Sequence, residues 1–244
     1  SNPVEGQVWY NTTTNVVKGN TVNPGAWAAG NALNTARYSM GSAGTQTAAL
    51  AFGGRVPTSP FNTAVTETWN GTNWTEVNDL NTARPKLAGT GATNTEALAF
   101  GGDNGGGVVK ANTELWNGTN WTEVNDLNTA RQSLASAGTQ TAALAFGGNT
   151  PTIVAVTETW NGTNWTEVND LNTARSLLAG AGATNTAALA FGGNPPELAI
   201  TETWNGTNWT EVADLNTARR NLGGIGTNTA ALAFGGTPGG ALTE

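Results

Sequence analysis

The sequence predicts an all-β fold, a five-bladed β-propeller in which each blade carries four strands. Three observations point to it. A unit of 44 to 47 residues recurs five times, each unit resolves into four short strand-like segments set off by Gly and Asn turns, and no segment sustains a 3.6-residue apolar stripe.

The unit is read from near-copies of one phrase. TETWNGTNWTEVNDLNTAR runs from Thr66 to Arg84 and returns unchanged from Thr157 to Arg175. It appears again from Thr113 to Arg131 with Leu115 in place of a Thr, and from Thr201 to Arg219 with Ala213 in place of an Asn. A degraded copy ends in LNTAR at Leu33–Arg37. Arg37, Arg84, Arg131, Arg175 and Arg219 mark the period, and five Gly-Gly pairs beginning at Gly53, Gly101, Gly147, Gly192 and Gly235 keep step with them.

The second unit shows the elements in order. Strand a is small and flexible, KLAGTGA. Strand b is the apolar run TEALAFGG, closed by its glycine pair; a variable stretch and strand c, NTELW, follow, and the turn NGTN leads into strand d, WTEVNDL. Thr, Val and Trp favour pleated backbone, and the Asn-Gly between c and d is a strong hairpin signal. In strand c, Glu114 and Trp116 share one face; in strand d, Trp121, Glu123 and Asn125 share one against Thr122 and Val124. Strand a holds almost nothing larger than Ala after its leading apolar residue, as suits inner strands converging on a narrow axis.

Composition removes whole classes of function. A net charge of -7 with no basic stripe disfavours nucleic acid. No Cys and no His are present, so thiolate metal sites, disulfides and the commonest general base are absent, and neither metal nor cofactor is expected. No apolar run approaches the roughly 18 residues that span a bilayer, so membrane insertion is not expected. SNPVEGQVWY lacks the basic start and apolar core of a signal peptide, and the missing initial Met reads as a processed fragment.

A Gly-Gly after an apolar strand, an aromatic in the next strand and a Trp ten residues before an Arg together resemble the kelch repeat, a four-stranded propeller blade. In that resemblance Trp69, Trp116, Trp160 and Trp204 take the place of the kelch Tyr, and Trp27, Trp74, Trp121, Trp165 and Trp209 that of the kelch Trp. The repeat wording, with the opening GQVWYNTTTNVVKG, is also similar to repeat regions of tail or structural proteins of tailed phages, which implies a virion-surface or extracellular setting. One domain, 1–244, is expected, with blades 38–84, 85–131, 132–175, 176–219 and 220–244. Residues 1–37 form a closing segment whose strand d around Trp27 completes the last blade, where Thr243 and Glu244 match Thr66 and Glu67 at the start of strand c. Trp9 or Tyr10 fills the aromatic place that the truncated strand c leaves empty, and the chain forms a monomeric ring.

Several features carry two readings. The Trp residues serve as sugar-stacking platforms or fill the wedge between blades, and the wedge reading accounts better for their presence in every unit. Arg37, Arg84, Arg131, Arg175 and Arg219 form a ring at the channel mouth suited to an anion, or pair with carboxylates of the Glu67 or Asp79 type. The NGT and NWT triplets are glycosylation acceptors or turns, and the turn reading is preferred.

Thirteen of the seventeen carboxylates belong to the repeat, leaving Glu5, Glu96, Asp103 and Glu197 outside it. Symmetric environments do not push two carboxylates apart in pKa, so a glycosidase built on Asp103 and Glu197 is disfavoured and no catalytic residue is assigned. The stretches after each Gly-Gly differ between units, and on a kelch-like blade these b-to-c loops share a face with the d-to-a turns. They are where recognition is expected, with Arg55, Phe61, Asp103, Lys110, Ile153 and Glu197 as candidate ligand-binding residues. The expected function is a non-enzymatic binding or display module recognising a glycan or host cell surface; the alternative is a purely structural module, recently amplified or designed.

Overall fold

The computed structural model describes residues 8–11, 16–19 and 29–244. Two compact units divide the chain, Ser1–Gly30 and Asn31–Glu244. The first contains a hairpin of β1 (Val8–Asn11) and β2 (Val16–Gly19), in which Trp9 lies opposite Lys18 and Tyr10 opposite Val17. The strand expected around Trp27 lies outside the described residues.

The second unit is a β-propeller. Its first blade is β3 (Gly41–Thr45), β4 (Ala48–Phe52), β5 (Thr66–Trp69) and β6 (Trp74–Val77). The second is β7 (Ala88–Thr93), β8 (Glu96–Phe100), β9 (Thr113–Trp116) and β10 (Trp121–Val124). The third is β11 (Ala135–Gly138), β12 (Ala143–Phe146), β13 (Thr157–Trp160) and β14 (Trp165–Val168). The fourth is β15 (Ala179–Thr184), β16 (Ala187–Phe191), β17 (Thr201–Trp204) and β18 (Trp209–Glu211). Each is an antiparallel meander in chain order.

The expectation of five four-stranded blades is corrected here. Four blades carry four strands, and the fifth repeat forms only a two-stranded sheet of β19 (Gly223–Gly226) and β20 (Ala231–Phe234). Beyond β20, Thr243 and Glu244 reach strand c register as one bridge from Phe234 to Thr243, and no described strand adds c or d to this sheet. In the first unit, β1 pairs with β2. Glu244 nevertheless exchanges both backbone hydrogen bonds with Ala233, at 2.8 Å each.

Strand a lies innermost, since β3, β7, β11, β15 and β19 contact one another in succession. Crowding there excludes side chains: a Cβ on Gly89 would stand 2.3 Å from the Phe52 ring of the preceding blade and 2.8 Å from the Ser42 carbonyl. The small hydroxyls that are present tie neighbouring inner strands together, Thr90 Oγ1 donating to the Gly138 carbonyl at 2.6 Å and Ser136 Oγ to that of Gly89 at 2.8 Å.

The tryptophans are wedges. Trp116, Trp160 and Trp204 in strand c are essentially inaccessible, and each indole N–H donates to a carbonyl of its own a-to-b turn. In strand d, the rings of Trp121, Trp165 and Trp209 meet Phe52, Phe100 and Phe146 of the preceding blade edge-on at 4.8 to 5.0 Å. Their N–H groups reach back to Thr66, Thr113 and Thr157 of that blade. A buried indole is thus satisfied at both its apolar and polar ends. The Asn-Gly turns behave as turns: Asn161 Oδ1 accepts the N–H groups of Thr163 and Asn164, both at 2.9 Å, and Asn70, Asn117 and Asn205 do the same.

Candidate functional site

The site is built on a rivet between units. Each NTAR segment wraps the strand c glutamate of the blade that follows. Glu158 Oε2 accepts the backbone N–H of Asn128 at 2.7 Å and its side-chain amide at 3.0 Å, and Oε1 takes Arg131 at 2.6 Å. The same pairing joins Arg37 to Glu67, Arg84 to Glu114, Arg175 to Glu202 and Arg219 to Glu244, at 2.7 to 3.3 Å. Meanwhile the carbonyl of Arg131 accepts the N–H of Gly102 in the preceding blade. A Cβ on the adjoining Gly101, whose φ is +69°, would stand 2.7 Å from that carbonyl, so the glycine pair exists to let the linker approach.

These five arginine side chains are inaccessible and do not line the channel mouth. Burial pushes the guanidinium groups of Arg37, Arg84, Arg131 and Arg175 below the usual arginine value, against the raising pull of their glutamates.

The two residues after each Arg then turn into strand a. They read Tyr38-Ser39, Pro85-Lys86, Gln132-Ser133, Ser176-Leu177 and Arg220-Asn221, different in every unit although their flanks are nearly constant. The second residue of each pair is left-handed, with φ between 54° and 56°. Such a conformation costs a non-glycine residue on the order of 1 kcal/mol, and here cross-blade hydrogen bonds hold it. Lys86 N–H donates to the Ser39 carbonyl at 2.8 Å; Ser133 to Lys86, Leu177 to Ser133 and Asn221 to Leu177 follow at 2.9 Å. These residues, with Tyr38, Met40, Leu87, Leu134, Leu178 and Leu222, line a mouth of about 500 Å³. It sits on the central channel of about 860 Å³ lined by all five inner strands.

The b-to-c loops stand on the same face, because their roots pair with these linkers. Arg55 bridges Tyr38 and Asn62; Asn149 bridges Gln132 and Ile153; Asn194 bridges Ser176, and Thr237 bridges Arg220. The six residues singled out from sequence are distributed around this face rather than gathered in one pocket. Arg55 lies half-buried and Phe61 is exposed. Asp103 is buried, with Oδ2 3.0 Å from Lys86 Nζ and Oδ1 accepting the Gly105 N–H. Lys110 is anchored by its backbone N–H to the Gly102 carbonyl, Ile153 by its bridge to Asn149, and Glu197 pairs with Arg220 at 3.5 Å. Asp103 and Glu197 each hold a cation and stand in different blades. Among the described residues no three acidic side chains converge as a metal site.

Sequence reasoning missed the linker pairs. Their signal was present, as two changing letters inside a constant phrase, but only the fold shows that Lys86 touches both Asp103 and Gln132, each at 3.0 Å, and so joins linker to loop.

No known protein family matches the chain, and no characterised protein proved similar to it.

Proposed function

We propose that the protein is a non-enzymatic binding and display module, carried on a phage tail or another exposed particle surface, that recognises a glycan or host surface through the face bearing its b-to-c loops. One observation carries the reading: in repeats otherwise nearly identical, the differences collect on one face. Linker pairs and loops both vary, and their roots are hydrogen-bonded together. Of the seven large hydrophobic side chains left exposed among the described residues, four (Tyr38, Phe61, Val108 and Leu242) belong to those segments, and Met40 lines the mouth beside them. A rigid scaffold with divergent loops is how recognition is commonly built. The kelch-like blade pattern and the phage-like wording of the repeats agree with it.

The test is a glycan array together with attachment of host cells, run on the wild type and on a chain whose five loops are replaced by the six-residue loop of the third unit, Asn149–Val154. Binding lost on loop replacement, with the circular dichroism unchanged, is the expected result. No binding by the wild type, and attachment indifferent to the loops, would establish a space-filling structural module instead.

A further inference from the structure

The loop face is not equivalent around the ring, and its first unit holds an arginine unlike all others described. Arg37, Arg84, Arg131, Arg175, Arg219 and Arg220 each pair with a carboxylate. Among the described residues Arg55 alone among the arginines has no carboxylate partner. Its Nε is buried without a hydrogen bond, as in Arg37, Arg84, Arg131, Arg175 and Arg219, but its two terminal nitrogens, unlike theirs, are neither hydrogen-bonded nor buried. The fork left open at its tip has the geometry that takes a carboxylate through two parallel N–H bonds.

Its neighbours complete a site. Tyr38 exchanges both backbone hydrogen bonds with Arg55, at 2.8 and 3.0 Å, and Asn62 bridges Arg55 from the other side. Residues paired directly across antiparallel backbone project to the same side, so Tyr38, Arg55 and Asn62 form a row. Tyr38 is 56% exposed and presents a flat apolar face to solvent. Asn62 is fixed by donating from Nδ2 to the Asn104 carbonyl of the next unit at 2.7 Å, while its Oδ1 is a buried acceptor without a donor. Among the described residues no other unit combines an exposed aromatic, an unpaired guanidinium and an amide lacking a donor.

We infer that this row is the recognition site for an acidic saccharide: the carboxylate of a uronic-type sugar sits on Arg55 and its ring stacks on Tyr38, with Asn62 fixing the edge of the row through its bond to Asn104. The inference rests on the glycan-binding reading above and gives it one site per chain, at the junction of the first two units. Phe61, next to Asn62, projects to the opposite side of the backbone and lies outside the row.

An array of oligogalacturonate and alginate oligomers, with the carboxyl-reduced neutral counterpart of each, tests it directly. The wild type is expected to bind the acidic oligomers and to lose them on carboxyl reduction. Arg55→Gln should weaken binding by about 10- to 100-fold, as loss of a charge-assisted pair does. Tyr38→Ala should weaken it by about 10-fold, as loss of an aromatic platform does, and Val212→Ala, at an exposed position outside the linkers and loops, should leave it unchanged. Equal binding of acidic and neutral oligomers, or full binding by Arg55→Gln, overturns the acidic site while leaving glycan recognition standing. A wild type that binds no saccharide, acidic or neutral, overturns both.

Discussion

Arg131 and Glu158 show what a repeated residue does in this chain. The pair is sealed between two blades, and the lowered pKa of the arginine says that desolvation outweighs the attraction of its glutamate. A base whose pKa falls on folding holds its proton less tightly in the folded state. Its contribution would therefore change with pH only at strongly alkaline values, rising toward the unfolded pKa; at neutral pH it is a constant cost. The pair earns its place through geometry, since Glu158 also fixes the backbone of Asn128. Arg131→Met or Glu158→Leu alone should each cost about 3 to 5 kcal/mol, because the partner is left as a buried unpaired charge. The double variant should recover the part of that loss due to the unpaired charge, but not the part due to Asn128 and Thr129 losing their acceptor. Urea melts of the four proteins check this, and additive losses would contradict it. Sequence reasoning saw that arginine and carboxylate recur together. It left pairing and an anion ring open because spacing alone does not tell which side chains the fold buries.

At the level of elements, strands were legible and linkers were not. The segments TEALAFGG, NTELW and WTEVNDL contain β8, β9 and β10, and KLAGTGA contains all of β7 but Thr93, because period, turn residues and composition agree there. The left-handed residue in each linker left no such mark, since Ser, Lys and Leu are poor markers of that conformation. Tertiary hydrogen bonds impose it against local preference. Leu177, with φ of 55°, bears this strain most plainly. Leu177→Asn, borrowing the residue that Asn221 supplies at the equivalent place, should raise stability by up to about 1 kcal/mol, because Asn tolerates the left-handed region. A thermal midpoint that stays level or drops would show the leucine side chain to be worth more to the mouth than its backbone strain costs.

On the scale of the whole molecule, each unit touches its neighbours through the same rivet, wedge and linker bond. Stability then approximates a sum of unit and interface terms. Deleting residues 132–175 removes one full period, and joins Arg131 to Ser176 so that Glu202 takes the place of Glu158. The shortened chain should remain folded and all-β by circular dichroism, with a lower denaturation midpoint. Global unfolding of this variant would mean that the units are not interchangeable neighbours. One device already breaks the series: Asn78, Asn125 and Asn169 each tie strand d to the c-to-d turn of the next blade, whereas Ala213 has no amide with which to do so.

By itself the sequence determined the unit and its four strands, because these depend on local pattern and on repetition. Only the tertiary structure decided how many units become full blades, because a strand needs a neighbour to pair with: among the described residues the fifth repeat forms two strands and a single bridge. It alone, too, brought the changing linker pairs and loops onto one face and left Arg55 without a counter-charge, since which charges meet depends on contacts across units that no spacing along the chain encodes.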